Sequence, residues 1–205
     1  MNYLTLSLEE LEKKSIELAE LIEKKFRPDI VIFIAAGGFL IAQSVSHYFS
    51  IPMIGIKAVR KGNIIKSIAS PFLTIIPNKM KNYLRKLEMN SNIHKKKPER
   101  AVSFLNEAYL RYSSDSKRIL ILDDSVDTGH SMLMVKEMVS RSFPGSTIQC
   151  AALNIWQTSQ DVIFIDYTLL VDTIIKTPMS KDSKYYKEFT KRYNRYLSAL
   201  DTNLL

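Results

Sequence analysis

Residues 119–131, ILILDDSVDTGHS, place more groups capable of chemistry in one short stretch than any other part of the chain. Asp123 and Asp124 are adjacent carboxylates at the end of an apolar run, and Asp127 follows three residues on. Thr128, Gly129, His130 and Ser131 come next, where a helical pattern begins. The order has a chemical logic. Carboxylates accept hydrogen bonds from sugar hydroxyls, whereas a turn into a helix offers backbone N–H groups, hydroxyls and the positive helix end to a phosphate. Such ligands bind at the carboxyl ends of strands in open α/β sheets. A second candidate is Ala35-Ala36-Gly37-Gly38, which also follows an apolar run.

Other chemistries lack their residues. HExxH, paired cysteines, GxSxG, the three-glycine dinucleotide fingerprint and GxxxxGK[ST] do not occur. His47 and His94 have no partner spacing, and no residue is expected to ligate a metal directly. Asp127-Thr128-Gly129 matches an aspartic-protease half-site, but that chemistry needs two such loops sharing a proton. A receiver domain also carries Asp-Asp at a strand end, near its start. Here the pair stands too close to the C-terminal end for the rest of that fold.

The elements that must hold these residues are legible. Ser7 and Glu10 have the form of a capping box, and Leu11, Leu18, Ile22 and Phe26 recur at helical spacing, predicting a helix over 8–26. After Arg27-Pro28-Asp29 comes Ile30–Ile34, whose unbroken apolar character predicts a strand buried on both faces. A helix over 39–49 and a strand over 52–59 follow. Residues 78–112 read as one or two basic helices. Arg118–Leu122 is the sharpest strand, followed by a helix over 128–141, a strand over 147–156, and one or two strands within 162–175. The tail over 183–200 reads as a basic, tyrosine-rich helix whose tyrosines form a packing face rather than a nucleic-acid platform. Alternating strands and helices argue α/β with a mainly parallel sheet flanked by helices.

The bulk properties agree. The chain has 205 residues, 46% hydrophobic and 24% charged, which suits one domain, or one domain carrying a sizeable insertion. A net charge of +8 favours phosphate-bearing partners. One cysteine excludes a disulfide scaffold, and Cys150 lies in an apolar strand where packing is expected. The longest apolar run, residues 30–42, is too short to span a bilayer and contains two glycines. No signal-like segment opens the sequence, so a cytoplasmic location without membrane attachment is expected.

At residues 119–131 the sequence resembles the phosphoribosyl-pyrophosphate signature of the type I phosphoribosyltransferases. Residues 28–38 are similar to that family's first strand and pyrophosphate loop. Trp156, Asp166-Tyr167 and Thr177-Pro178 are similar, more loosely, to the hood of its 6-oxopurine and xanthine branch. The likeness covers 28–60 and 117–156. It implies a single domain over 1–205, with a helical insert at about 61–116 and a C-terminal hood and helix over about 156–205. It further implies transfer of a phosphoribosyl group from phosphoribosyl pyrophosphate to a nitrogenous base, with Mg²⁺ as cofactor and a homodimer as the assembly. Asp123 and Asp124 would bind the ribose hydroxyls, and Thr128, Gly129, His130 and Ser131 the 5′-phosphate. Ala36, Gly37, Gly38 and Arg60 would bind pyrophosphate, the loop residues through backbone N–H groups, and Asp127 would be the general base. Where the purine branch usually has a Lys reading the 6-oxo group, this chain has Trp156, which offers a stacking face beside the base or, alternatively, fills the core under the C-terminal helix. The competing reading is the same fold kept without turnover, binding a phosphorylated nucleotide or nucleic acid in a regulatory role.

Overall fold

The computed structural model describes residues 2–60, 100–112 and 115–202. The chain divides into two units, residues 1–57 with 102–205, and residues 58–101. Of the smaller unit only the strand ends 58–60 and 100–101 are described, so the expectation of a basic helical insert over 61–99 lies outside the described residues.

In chain order the elements are β1 (Asn2–Thr5), α1 (Leu8–Glu23), β2 (Ile30–Ala35), α2 (Phe39–Phe49), β3 (Met53–Arg60) and β4 (Arg100–Phe104). After a 3-10 helix at Glu107–Tyr112 come β5 (Arg118–Val126), α3 (His130–Ser142) and β6 (Thr147–Ile155). A second 3-10 helix at Gln157–Asp161 leads to β7 (Tyr167–Val171), β8 (Thr173–Lys176) and α4 (Tyr186–Thr202). Six strands form one sheet in the order β4-β3-β2-β5-β6-β7, and β2 pairs in parallel with both β3 and β5. The pairs β5–β6 and β6–β7 are parallel as well. This is the expected mainly parallel sheet, with β2 and β5, the two strands bearing the candidate loops, side by side at its centre.

Local chemistry explains the ends of the elements. The Ser7 hydroxyl accepts from the Glu10 N–H at 3.2 Å while the Glu10 carboxylate accepts from the Ser7 N–H at 2.7 Å, so the capping box is complete. Asp29 grips Arg118 through Nη2 and Nε at 2.8 and 3.3 Å and accepts from its N–H at 2.8 Å. The ends of β2 and β5 away from the candidate loops are thereby tied in register.

α1 and α2 cover one face of the sheet, where Leu11, Leu18, Phe39 and Val45 meet Val31, Phe33, Leu120 and Leu122. α3 packs on β5 and β6 and buries Met132, Val135 and Val139. By strand alternation these meet the opposite face, with Ile119 and Ile121. Cys150 is fully buried in β6, and burial pushes its thiol up to about 12. In α4, Phe189, Tyr193 and Tyr196 close on Phe39, with ring centroids 5.1–6.5 Å apart. The tail tyrosines are thus a packing face, as their spacing predicts.

Three expectations need correction. Residues 100–104 are strand β4 rather than helix, and 107–112 form a 3-10 helix; Leu105 N–H donates to the Gly55 carbonyl at 2.9 Å, so pairing along β3 outweighs the basic composition. The helix over 8–26 stops at Glu23, with Lys25 and Phe26 N–H groups turning back to Ile22. The strand expected to end at Leu122 runs on to Val126, and pairing of Ser125 with Asn154 and Val126 with Ile155 keeps it extended. β1 was not anticipated: four residues carry little periodicity, and the strand exists through its parallel pairing with β8 in a separate two-stranded sheet.

Candidate active site

Because β5 continues to Val126, Asp123 and Asp124 sit inside the paired ladder rather than in a loop. Asp123 Oδ1 accepts from the Asp124 N–H at 2.9 Å, and Asp124 Oδ1 from the Ser125 N–H at 3.0 Å. Burial, followed by the neighbouring Asp124 charge, pushes the Asp123 carboxyl well above the usual carboxylate range. Burial also raises Asp124. Two adjacent carboxyls that resist ionisation favour a ligand bringing hydroxyl donors or positive charge.

The glycine loop comes directly to this pair. A side-chain carbon added at Gly37 would lie 2.5 Å from Asp124 Oδ1, a separation that no Cβ tolerates. That clash falls on a side chain that can swing aside, but a Cβ at Gly38 would meet the Leu122 backbone carbonyl at 2.7 Å, so glycine there lets the loop after β2 approach β5 so closely. Residues 36–38 and 123–124, some 86 positions apart in sequence, therefore share one site. Within the loop, a cis peptide joins Ala35 and Ala36. The Gly38 N–H donates to the Ile34 carbonyl at 2.9 Å, which removes it from the expected set of pyrophosphate donors. Turn closure into α2 has taken that group. Arg60 ends β3 in the smaller unit, and its side chain lies outside the described residues.

Asp127 and Thr128 are exposed, and Gly129 caps α3 with φ 75°, a left-handed conformation suited to glycine. A Cβ there would also meet the Ser159 carbonyl at 2.9 Å. The turn is therefore shaped by glycine on two counts and delivers the α3 N-terminus beside Asp127. The His130 ring Nδ1 lies 3.0 Å from the Thr128 carbonyl, a contact internal to the turn. Ser131 occupies the first turn of the helix and is half-buried.

Trp156 is half-buried and is not a member of the main core cluster. Its backbone N–H donates to the Val126 carbonyl at 3.0 Å, one residue before Asp127. The next turn is held by Asp172, whose Oδ1 accepts from the Gln157 N–H at 2.8 Å. The end of β6 thus puts the indole-bearing residue alongside the Asp127 loop.

Two residues that the motif reading passed over belong here. Ser125 Oγ donates to Asp127 Oδ1 at 3.0 Å, and Asn154 Nδ2 donates to Ser125 Oγ at 3.3 Å. The missed signal was Asn154, a lone amide in the otherwise apolar core of β6.

No group of three or more His, Cys, Asp or Glu capable of holding a metal occurs among the described residues. The donor set still fits Mg²⁺ of the kind that retains waters and takes one or two carboxylates together with phosphate oxygens from a ligand. In keeping with the expectation of no direct protein ligand, Asp123 and Asp124 would face such an ion through its retained waters.

The parallel sheet brings a carboxylate pair and a glycine loop together at its centre, and the N-terminus of α3 follows the acidic strand. The phosphoribosyl transferase domain model matches residues 6–175, and the chain belongs to that family. Among solved structures it resembles the purine phosphoribosyltransferase of Pyrococcus horikoshii Ot3, at 20% identity over 89% of this chain and 97% of that one, with a TM-score of 0.59. It also resembles the Helicobacter pylori xanthine-guanine-hypoxanthine phosphoribosyltransferase, at 17% identity over 91% and 99%, with a TM-score of 0.62. A hypothetical protein from Neisseria gonorrhoeae with bound ppGpp is similar at 16% identity over 93% and 94%, with a TM-score of 0.59. At these identities the likeness is one of fold. No curated protein matches the sequence. No helix among the described residues is long and apolar enough to cross a membrane.

Proposed function

We propose that the chain transfers the 5-phosphoribosyl group from phosphoribosyl pyrophosphate to a ring nitrogen of a purine base, releasing pyrophosphate. The observation that carries this reading is the approach of the Gly37 loop to Asp124, since a diol and a diphosphate on one sugar must be held side by side. Asp123 and Asp124 accept hydrogen bonds from the ribose 2′- and 3′-hydroxyls. Thr128, Gly129, His130 and Ser131 hold the 5′-phosphate at the α3 N-terminus. Ala36 and Gly37 face the pyrophosphate through the backbone. As the anomeric carbon–oxygen bond breaks and the carbon–nitrogen bond forms, Asp127 takes the proton from the attacking nitrogen, and the electron pair leaves with pyrophosphate. Mg²⁺, when bound, offsets charge on the leaving diphosphate. Trp156 supplies a flat face to the base.

The test is calorimetric titration with phosphoribosyl pyrophosphate and Mg²⁺, then pyrophosphate release with a panel of purines and pyrimidines. Binding followed by release with a purine is expected, with quenching of Trp156 emission by that base. Absence of release with every base rejects catalysis. A second reading is favoured by the Neisseria structure with bound ppGpp: a non-catalytic protein that binds a phosphorylated guanine nucleotide. It predicts ppGpp binding without pyrophosphate release.

A further inference from the structure

Asn154 is fully buried in β6, and both ends of its amide are engaged. Its Oδ1 accepts from the Thr173 backbone N–H at 3.2 Å. An N–H can only donate, so the amide oxygen must face β8 and the NH₂ must face β5. There Nδ2 reaches Ser125 Oγ at 3.3 Å, occupying a lone pair of the hydroxyl and leaving its hydrogen for Asp127 Oδ1 at 3.0 Å. The polarity of the whole series is therefore set: Thr173 N–H to Asn154, Asn154 to Ser125, Ser125 to the Asp127 carboxylate. Each bond polarises the next. Its two ends lie in different sheets, because Ser125 pairs with Asn154 in the main sheet whereas Thr173 opens β8, which pairs with β1 in the small sheet. Thr173 is itself buried, and its hydroxyl donates to the Val171 carbonyl at 3.1 Å.

We propose that Ser125 and Asn154 are positioning residues that orient Asp127 and tie its carboxylate to the small β1–β8 sheet. The hydroxyl holds one carboxylate oxygen, so the other is presented to the acceptor in a single orientation. A shift of β8 that releases the Thr173 N–H frees the Asn154 amide and, through Ser125, the carboxylate. The inference rests on the transferase reading for the role of Asp127.

The test uses the full chain with Ser125→Ala and Ser125→Thr, reading pyrophosphate release and amide hydrogen exchange in parallel. Ser125→Ala should lower kcat about tenfold, a fraction of the roughly 10²–10⁴ contributed by a general base, with KM for phosphoribosyl pyrophosphate within about twofold of wild type. Ser125→Thr keeps the hydroxyl and should restore most of kcat. In Ser125→Ala the Thr173 amide should exchange faster, because Asn154 loses its partner on the other side, while Leu120 in the centre of β5 keeps its protection. Unchanged kcat in a folded Ser125→Ala protein, or a loss shared equally by the Thr variant, overturns the proposal. So does unchanged exchange at Thr173. If the wild-type chain releases no pyrophosphate with any base, the transferase reading fails, and exchange at Thr173 still decides whether the connection exists.

Discussion

Asp123 illustrates a conflict between binding and stability at a single residue. Its folded carboxyl is held well above the ordinary range, by burial first and Asp124 second. A raised carboxyl binds more protons folded than unfolded, so its stabilising contribution is full below the unfolded value of about 3.9 and is lost as pH rises through the folded value. The ligand-free protein should therefore melt at a lower temperature at pH 7 than at mildly acidic pH. Asp123→Asn should flatten that dependence and raise the neutral melting temperature, by roughly 2–4 °C for each kcal/mol recovered. The same substitution, combined with Asp124→Asn, should weaken phosphoribosyl pyrophosphate at least tenfold, since each charged hydrogen bond to a hydroxyl contributes about 1.5–3 kcal/mol. Unchanged affinity in a folded double variant would remove the ribose-binding role. Asp127→Asn separates chemistry from binding: turnover should fall by about 10²–10⁴ with donor affinity nearly intact. Equal losses in both would place Asp127 on the donor instead.

The turns leading into α2 and α3 depend on the absence of a side chain more than on any contact. At Gly129 an alanine meets both a left-handed φ and the Ser159 carbonyl. Gly129→Ala should cost at least 1–2 kcal/mol, roughly the penalty for a Cβ in that conformation, and should lower the melting temperature together with phosphate affinity. A fully stable variant would show that the turn relaxes freely. These turns were also the most readable part of the sequence. ILILDDSVDTGHS announces its site because every residue type in it answers a local demand: an apolar strand, acceptors, then a glycine that turns into a helix. α2 likewise spans its expected 39–49. The unread parts depend on distant partners. β1 exists through β8, β4 through β3, and the last residues of β5 through β6. The roles of Ser125 and Asn154 were equally hidden, because a serine beside two aspartates and an amide 29 positions on become one series only when the sheet sets them opposite each other.

Across the whole molecule, α4 closes the face that α2 leaves apolar. Phe189 is buried, stacks on Tyr193 at 5.8 Å and lies against Phe39, the residue that follows the glycine loop. Phe189→Ala should destabilise by about 3–5 kcal/mol. Through Phe39 it should also loosen the glycine loop, so that affinity for phosphoribosyl pyrophosphate and melting temperature fall together. Loss of stability with undiminished affinity would uncouple tail and loop. The sole cysteine makes such comparisons measurable without any added label. Cys150 is sealed in the central sheet with its thiol up near 12, so a thiol-specific reagent at pH 8 finds neither a path nor a thiolate in the native protein. Unfolding exposes a normal thiol. The rate of modification then becomes a clock for global opening, and its slowing by a candidate ligand ranks ligands by affinity even when no reaction can be followed.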